Sequence, residues 1–303
     1  MDDLDSVSET DAPIVVLDSG LGGLTVVRAL RNVLPAEQIL YFGDTARLPY
    51  GSKSQATVTT FVRQIIDFFL PRRPKHVLIA CNTATALALP EIRAAYPGLT
   101  ITGVIEPGSR AAVEAAGSKT SPVIGIIATE ATIRSKAYEK AIHRRRHHAR
   151  LLLRATPLLV PIIEEGRKES DLLTVLAVEQ YLQPMMQRGL DVLVLGCTHY
   201  PILKGLISRT VGKRVRVIDS AEQCAEDVAR RLAESNLLRS TEGASNGSLH
   251  CYVTDDPARF KTLATKFVGM KIELPTRVST DDLYAGMNVA TMPAIAEDPS
   301  LAA

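Results

Sequence analysis

Two stretches of the chain place a cysteine in the same kind of setting. HVLIACNTATA, from His76 to Ala86, carries Cys81, Asn82 and Thr83 after an apolar run. VLVLGCTHYP, from Val192 to Pro201, carries Cys197, Thr198 and His199 after another. A thiol just past a buried strand and near a helix start is open to activation, because a helix N-terminus favours the thiolate. The plain alternative is a buried structural cysteine, since free cysteine is among the most buried side chains. The repeated context argues against it. Two thiols facing each other across a cleft suit one reaction: a proton leaves one face of a carbon and another arrives on the opposite face. One thiol must be ionised while the other is protonated, and the ordinary cysteine pKa of about 8.5 is within reach of working pH. Asp18 and His199 are candidates to tune one thiol each. Cys224 and Cys251 lack this setting and are assigned to structure. The four cysteines give no disulfide framework and no zinc spacing.

Further polar clusters follow other apolar runs. DSGLGGLT (18–25) is a glycine-rich strand-to-helix turn whose backbone N–H groups suit an anion. It is neither a P-loop nor a dinucleotide fingerprint, so a carboxylate or amino acid fits as well as a phosphate. YFGDTARLPYG (41–51) sets Asp44, Thr45 and Arg47 before a Pro49-Tyr50-Gly51 turn, where Asp44 could cap the next segment. Thr129 follows VIGIIA. Glu164 and Glu165 lie in VPIIEEGR, and such a pair is more often solvated than catalytic. HRRRHHAR (143–150) is the one dense basic run; it reads as a solvated helix face or helix end, with a phosphate or nucleic-acid contact as the sharper alternative.

The elements that must position these groups alternate. Strands are expected at 14–20, 39–42, 77–80, 100–108, 123–129, 191–196 and 214–219. Helices are expected at 24–34, 56–70, 83–95 and 132–147, and 250–269 reads as a strand, a turn and a helix. Unbroken apolar strands separated by helices predict an α/β fold with mainly parallel, doubly wound sheets. Ligands of such sheets bind at the carboxyl ends of strands, where every cluster named above falls. Two domains are expected, 13–105 with 217–284 and 106–216. Residues 1–12 and 285–303 read as loose tails, and 236–248 as a loop.

The whole composition excludes some classes. Hydrophobic residues make up 46% of 303, enough for more than one core. Lys and Arg total 35 against 33 Asp and Glu, so no global field draws the chain to nucleic acid or membrane. No apolar run approaches a membrane span, and the acidic start MDDLDSVSETDAP has no signal-peptide core. The expectation is a cytoplasmic protein with a small-molecule substrate and no nucleic-acid or membrane partner.

LDSGLGGLTV, YFGDTARLPYG, ACNTAT, GVIEPG, IATEATIRSKAY, LGCTHYPIL and IDSA occur in an order that resembles bacterial glutamate racemases, over about residues 13–270. The resemblance implies cofactor-independent interconversion of L- and D-glutamate, D-glutamate supply for peptidoglycan, two α/β domains with the site in the cleft between them, and a homodimer. It implies that Cys81 and Cys197 are the two bases. Asp18 is similar to the residue that assists the first thiol and touches the substrate amino group. His199 is similar to the residue beside the second, and Glu164 to the acid that pairs with that histidine. Ser19, Pro49, Tyr50, Gly51, Asn82, Thr83, Thr129, Thr132 and Thr198 resemble the substrate-holding groups. Leu17, Leu21 and Leu48 depart from the commoner residues, apolar for apolar. The rivals are a racemase of aspartate or a related acid, a thiol hydrolase or transferase using one cysteine with His199, and a catalytically silent binding module. A pyridoxal-phosphate racemase would need a lysine at one of these strand ends, and none is there.

Overall fold

The computed structural model describes residues 8–240 and 247–285. Among these, ten strands form two sheets. The first holds β1 (Ile14–Asp18), β2 (Ile39–Gly43), β3 (His76–Ile79), β4 (Ile101–Gly103), β9 (Leu249–Val253) and β10 (Thr276–Arg277), in the order β10-β9-β2-β1-β3-β4. The second holds β5 (Val123–Ala128), β6 (Arg150–Ala155), β7 (Val192–Gly196) and β8 (Arg216–Asp219), in the order β6-β5-β7-β8. Every strand pairing among the described residues is parallel. The protein is a two-domain α/β fold.

Twelve helices among the described residues cover the sheets: α1 (Leu24–Val33), α2 (Gln55–Phe69), α3 (Asn82–Ala95), α4 (Ile105–Ala115), α5 (Glu130–Arg134), α6 (Ala137–Arg145), α7 (Leu159–Glu164), α8 (Leu172–Met186), α9 (Lys204–Val211), α10 (Ala221–Glu234), α11 (Pro257–Leu263) and α12 (Thr280–Ala285). The inner strands are buried on both faces, which is why β1, β2, β3, β5 and β7 read as unbroken apolar runs. On β1, Ile14 and Val16 pack under α1 and α10, while Val15 and Leu17 pack under α2 and α3. On β7, Leu193 and Leu195 face α7, α8 and α9, while Val192 and Val194 face α4 and α6. Each such side chain contributes about 1.5–3 kcal/mol when fully buried. In α2, Val58, Val62, Ile65, Ile66 and Phe69 follow the helical period, Ser54 caps the start through Thr57 N, and Pro71 follows the end.

Several expectations are corrected. Residues 100–108 are not one strand: β4 stops at Gly103 and Ile105 already starts α4. The expected helix over 132–147 is broken at Lys136, which has a left-handed φ of 57°, giving α5 and α6. β6 has no counterpart among the expected strands; it is an edge strand with Arg150 and Arg154 exposed, so its pattern merges with the basic run. The second sheet extends to Asp219, and the chain returns to the first sheet only after that residue. Of the expected N-terminal tail, Ser8 to Ala12 form a capped 3-10 turn, and Thr10 O accepts from Lys75 Nζ at 2.7 Å. Residues 1–7, 241–246 and 286–303 lie outside the described residues. The basic run ends α6: Arg144 and Arg145 pair with Glu106, and Arg146 donates to Gly117 O. Cations at a helix C-terminus are favourably placed. No helix among the described residues is long and apolar enough to cross a membrane.

Candidate active site

The strand orders fix where a site can form. In each sheet the chain adds its second strand on one side of the first and its third on the other. The resulting crevices lie between β1 and β3 and between β5 and β7, at the carboxyl ends of the strands. Cys81 follows β3 and Cys197 follows β7, so each thiol comes from the third strand of its sheet.

In the first half, Cys81 is the N-cap of α3, and its Sγ accepts from Ala84 N at 3.5 Å. The thiol donates to Ser19 Oγ at 3.7 Å. Asp18 ends β1 fully buried and accepts from Gly20 N at 3.1 Å. Asp44 follows β2, but its side chain does not cap the next turn. It accepts from Arg47 Nε at 2.7 Å, Tyr50 OH at 2.5 Å and Thr254 Oγ1 at 3.0 Å, which pins the Pro49-Tyr50-Gly51 segment.

In the second half, Thr129 is the N-cap of α5 through Thr132 N. Cys197 is not at an α-helix start; a 3-10 turn, Tyr200–Leu203, follows His199. His199 Nδ1 lies 3.8 Å from Cys197 Sγ, and Nε2 lies 2.5 Å from Glu164 Oε1 at the end of α7. Glu165, by contrast, is exposed and pairs with Arg167 at 2.9 Å.

Hydrogen bonds join the halves. Thr198 Oγ1 donates to Asp18 Oδ1 at 3.2 Å, and Thr83, Thr129 and Thr132 share a triangle of hydroxyl contacts of 2.9 to 3.2 Å. Tyr138 OH donates to Asn82 Oδ1 at 2.7 Å. Glycine permits the approach. A Cβ on Gly22 would lie 2.7 Å from His199 Nδ1, and one on Gly51 would lie 2.8 Å from Thr129 Cβ. Between the halves is a cavity of about 20 Å3, room for about one water. Cys81 and Cys197 both line it, with Ser19, the 49–51 segment, Asn82, Thr83, Thr129, Thr198 and His199.

The electrostatics set the two thiols apart. Burial, reinforced by the nearby Asp18 carboxylate, pushes the Cys81 thiol up to about 12, although Ala84 N–H and Ser19 work the other way. The helix start that the sequence suggests is present, but desolvation outweighs it. Burial also opposes a charge on His199. Its hydrogen bonds to Cys197 and Glu164 outweigh that opposition and hold its pKa well above the usual histidine value. Burial raises Glu164, but His199 and then Arg259 overcome it and leave the carboxyl below its ordinary range. The pair is therefore an imidazolium and a carboxylate.

The site residues that the resemblance implies all meet at or just behind this cavity, whereas Glu165 and the basic run do not. Asp18, Glu164 and Thr132 do not line it; they hold Thr198, His199 and Thr83 in place. Leu48 and Val160 also line the cavity, and Tyr138 binds Asn82 from α6. Sequence reasoning gives none of these three a role in the site. Leu48 and Val160 are apolar residues inside stretches read for their polar members, and Tyr138 closes the stretch IATEATIRSKAY with nothing there to link it to Asn82.

Fold and site together define a two-domain α/β protein in which two thiols, one from each half, line a single cavity. The sequence profile of the Asp/Glu/Hydantoin racemase family matches residues 22–228. A glutamate racemase of Neisseria meningitidis serogroup A is 46% identical over 88% of this chain and 96% of its own length. The glutamate racemase structure from Francisella tularensis, in complex with D-glutamate, has a TM-score of 0.81 at 35% identity, over 89% of this chain and 98% of that one. The one from Thermus thermophilus, in complex with beta-chloro-D-alanine, has a TM-score of 0.80 at 40% identity, over 91% and 100%. The chain belongs to the Asp/Glu/Hydantoin racemase family, and within it to the glutamate racemases.

Proposed function

We propose that the protein interconverts L- and D-glutamate by two-base proton transfer at Cα, with Cys81 and Cys197 as the bases and no cofactor. The observation that carries this reading is that two thiols, one from each half, line a single cavity at both topological switch points. In the resting enzyme Cys81 is held as a thiol, ready to deliver a proton. The charge of a thiolate on Cys197 is offset by the protonated His199, which Glu164 keeps charged. In one direction the Cys197 thiolate takes the Cα proton and the Cys81 thiol gives its own to the opposite face. The reverse direction uses the exchanged states.

Substrate-holding groups supply the rest. Asn82, Thr83, Thr129 and Thr198 offer donors to the carboxylates, and donors on the α-carboxylate stabilise the charge that develops as the Cα proton leaves. Asp18 lies behind Thr198 and gives the amino group a carboxylate to approach. A cavity this small cannot admit an amino acid, so the two domains part to load it and close to exclude water. The product would supply D-glutamate for peptidoglycan in the cytoplasm, and a homodimer is the assembly the resemblance favours.

The test uses purified protein without added cofactor. Optical activity of L-glutamate should decay to zero, D-glutamate should decay from the opposite sign, and L-aspartate should stay unchanged. Decay with aspartate alone would move the substrate within the same chemistry. Stable optical activity with both would overturn the reading.

A further inference from the structure

Asn82 uses only half of its hydrogen-bonding capacity. It opens α3, lines the cavity and is 3% exposed. Its Oδ1 accepts from Tyr138, while its Nδ2 is buried and finds no partner among the described residues. An unpaired buried amide N–H destabilises the fold and calls for an explanation, and a ligand that accepts from it is one.

Which way an amide faces is decided by its neighbours, because its oxygen and nitrogen ends have almost the same shape. Tyr138 supplies the deciding contact. It sits in α6, 2% exposed, and crosses from the second half to reach Asn82 in the first. Burial keeps the phenol protonated, far above the usual range, so Tyr138 retains the proton that it donates to Asn82 Oδ1 at 2.7 Å. The backbone of α4 passes close: a Cβ on Gly108 would come within 3.0 Å of Ser220 Cβ and 3.5 Å of the Tyr138 hydroxyl.

We propose that Tyr138 is a positioning residue for the racemisation: its hydroxyl locks Asn82 with Oδ1 turned to the protein and Nδ2 presented to the substrate carboxylate. The proposal rests on the reading of Asn82 as a substrate-holding group. Without the phenol the amide is free to turn. Its oxygen then faces the carboxylate, and a donor becomes a repulsive contact. The lock also forms only when the two halves are together, because Tyr138 lies in α6 of the second half and Asn82 opens α3 of the first.

The test is a double-mutant cycle on the full chain: wild type, Tyr138→Phe, Asn82→Ala and the pair, with KM and kcat for both enantiomers of glutamate and a Tm for each protein. Tyr138→Phe is predicted to raise KM about tenfold in both directions with kcat within about threefold, the size of one lost hydrogen bond to a charged group. Asn82→Ala should raise KM at least as far, and the double variant no further than Asn82→Ala alone, since the phenol then has nothing to orient. Additive effects would overturn the proposal. So would an unchanged KM in Tyr138→Phe beside a raised KM in Asn82→Ala, an outcome that leaves the role of Asn82 standing. An unchanged KM in Asn82→Ala would instead remove the reading on which the proposal rests. Should Tyr138→Phe fail to fold, Tyr138→Leu removes the same hydroxyl with a smaller side chain. It should raise KM in the same sense, and an unchanged KM there counts against the proposal.

Discussion

At the residue scale, the two thiols sit in matched stretches yet differ in chemistry. Cys81 is a thiol surrounded by apolar groups and Asp18, while Cys197 stands beside an imidazolium. Replacing either by serine should lower kcat about 10^2- to 10^4-fold, the range for a positioned acid or base, with KM little changed; steady-state polarimetry checks this. Glu164→Gln removes the carboxylate that keeps His199 protonated, so His199 should lose its proton at lower pH and the alkaline limb of kcat/KM should move down in pH. A limb that stays in place would mean that His199 does not set it. Stability carries a further signature. The Cys81 pKa rises from about 8.5 in the unfolded chain to about 12 in the fold. Between these values the unfolded chain binds fewer protons, so stability is full below about pH 8.5 and falls as pH rises. The difference in Tm between wild type and Cys81→Ser should therefore shift in favour of the variant from about pH 8.5 to about 11. Most residues of the site are legible in the sequence because they lie beside the two cysteines or in quoted turns. Tyr138 is not, because its contact with Asn82 spans 56 positions and exists only in the folded molecule.

At the scale of elements, the sequence places the strand ends well where apolar runs stop at a glycine or a polar cluster, as at Asp18, Gly196 and Cys81. It fails where that contrast fades. In ITGVIEP the apolar pattern runs on past Gly103, and only the backbone shows the change from β4 to α4. β6 is half exposed and opens on Arg150, so it lacks the buried signature of its neighbours. The turn after β1 has a clear purpose in the structure: Gly22 lets α1 approach Thr198 and His199 from the other domain. Gly22→Ala must push these groups apart. Displacement near 1 Å at a reacting centre can cost about a hundredfold in rate. We therefore expect kcat/KM to fall at least about tenfold with a native-like far-UV spectrum, and wild-type activity in Gly22→Ala would show that the close approach is dispensable.

At the scale of the whole molecule, the repeated strand order brings two similar halves face to face, each delivering one thiol at its switch point. The order of strands in a sheet leaves no mark in local hydrophobic pattern, so that pattern places Cys81 and Cys197 at strand ends, and the expectation that they share one cleft comes only from the chemistry of paired thiols and from the resemblance. The cavity of about 20 Å3 is too small for an amino acid, so the proposed mechanism calls for the two domains to part before catalysis. Amides at the junction, around Thr83, Thr129 and Thr198, should exchange with solvent through that opening. Glutamate at about 100 times its Kd should slow opening-limited exchange there about a hundredfold. Unchanged exchange during turnover would contradict an opening of the two domains. The central claim, one thiol for each face of Cα, is tested most directly by the isotope content of early product. L-glutamate is incubated with the enzyme in D2O, and both enantiomers are separated and analysed for α-deuterium at a few per cent conversion. The account predicts D-glutamate carrying deuterium at Cα while the remaining L-glutamate keeps its proton, because the group that removes the proton is not the one that returns it. Deuterium entering unreacted L-glutamate as fast as it enters D-glutamate, or product that retains the original proton, would place both steps on a single base and contradict the account.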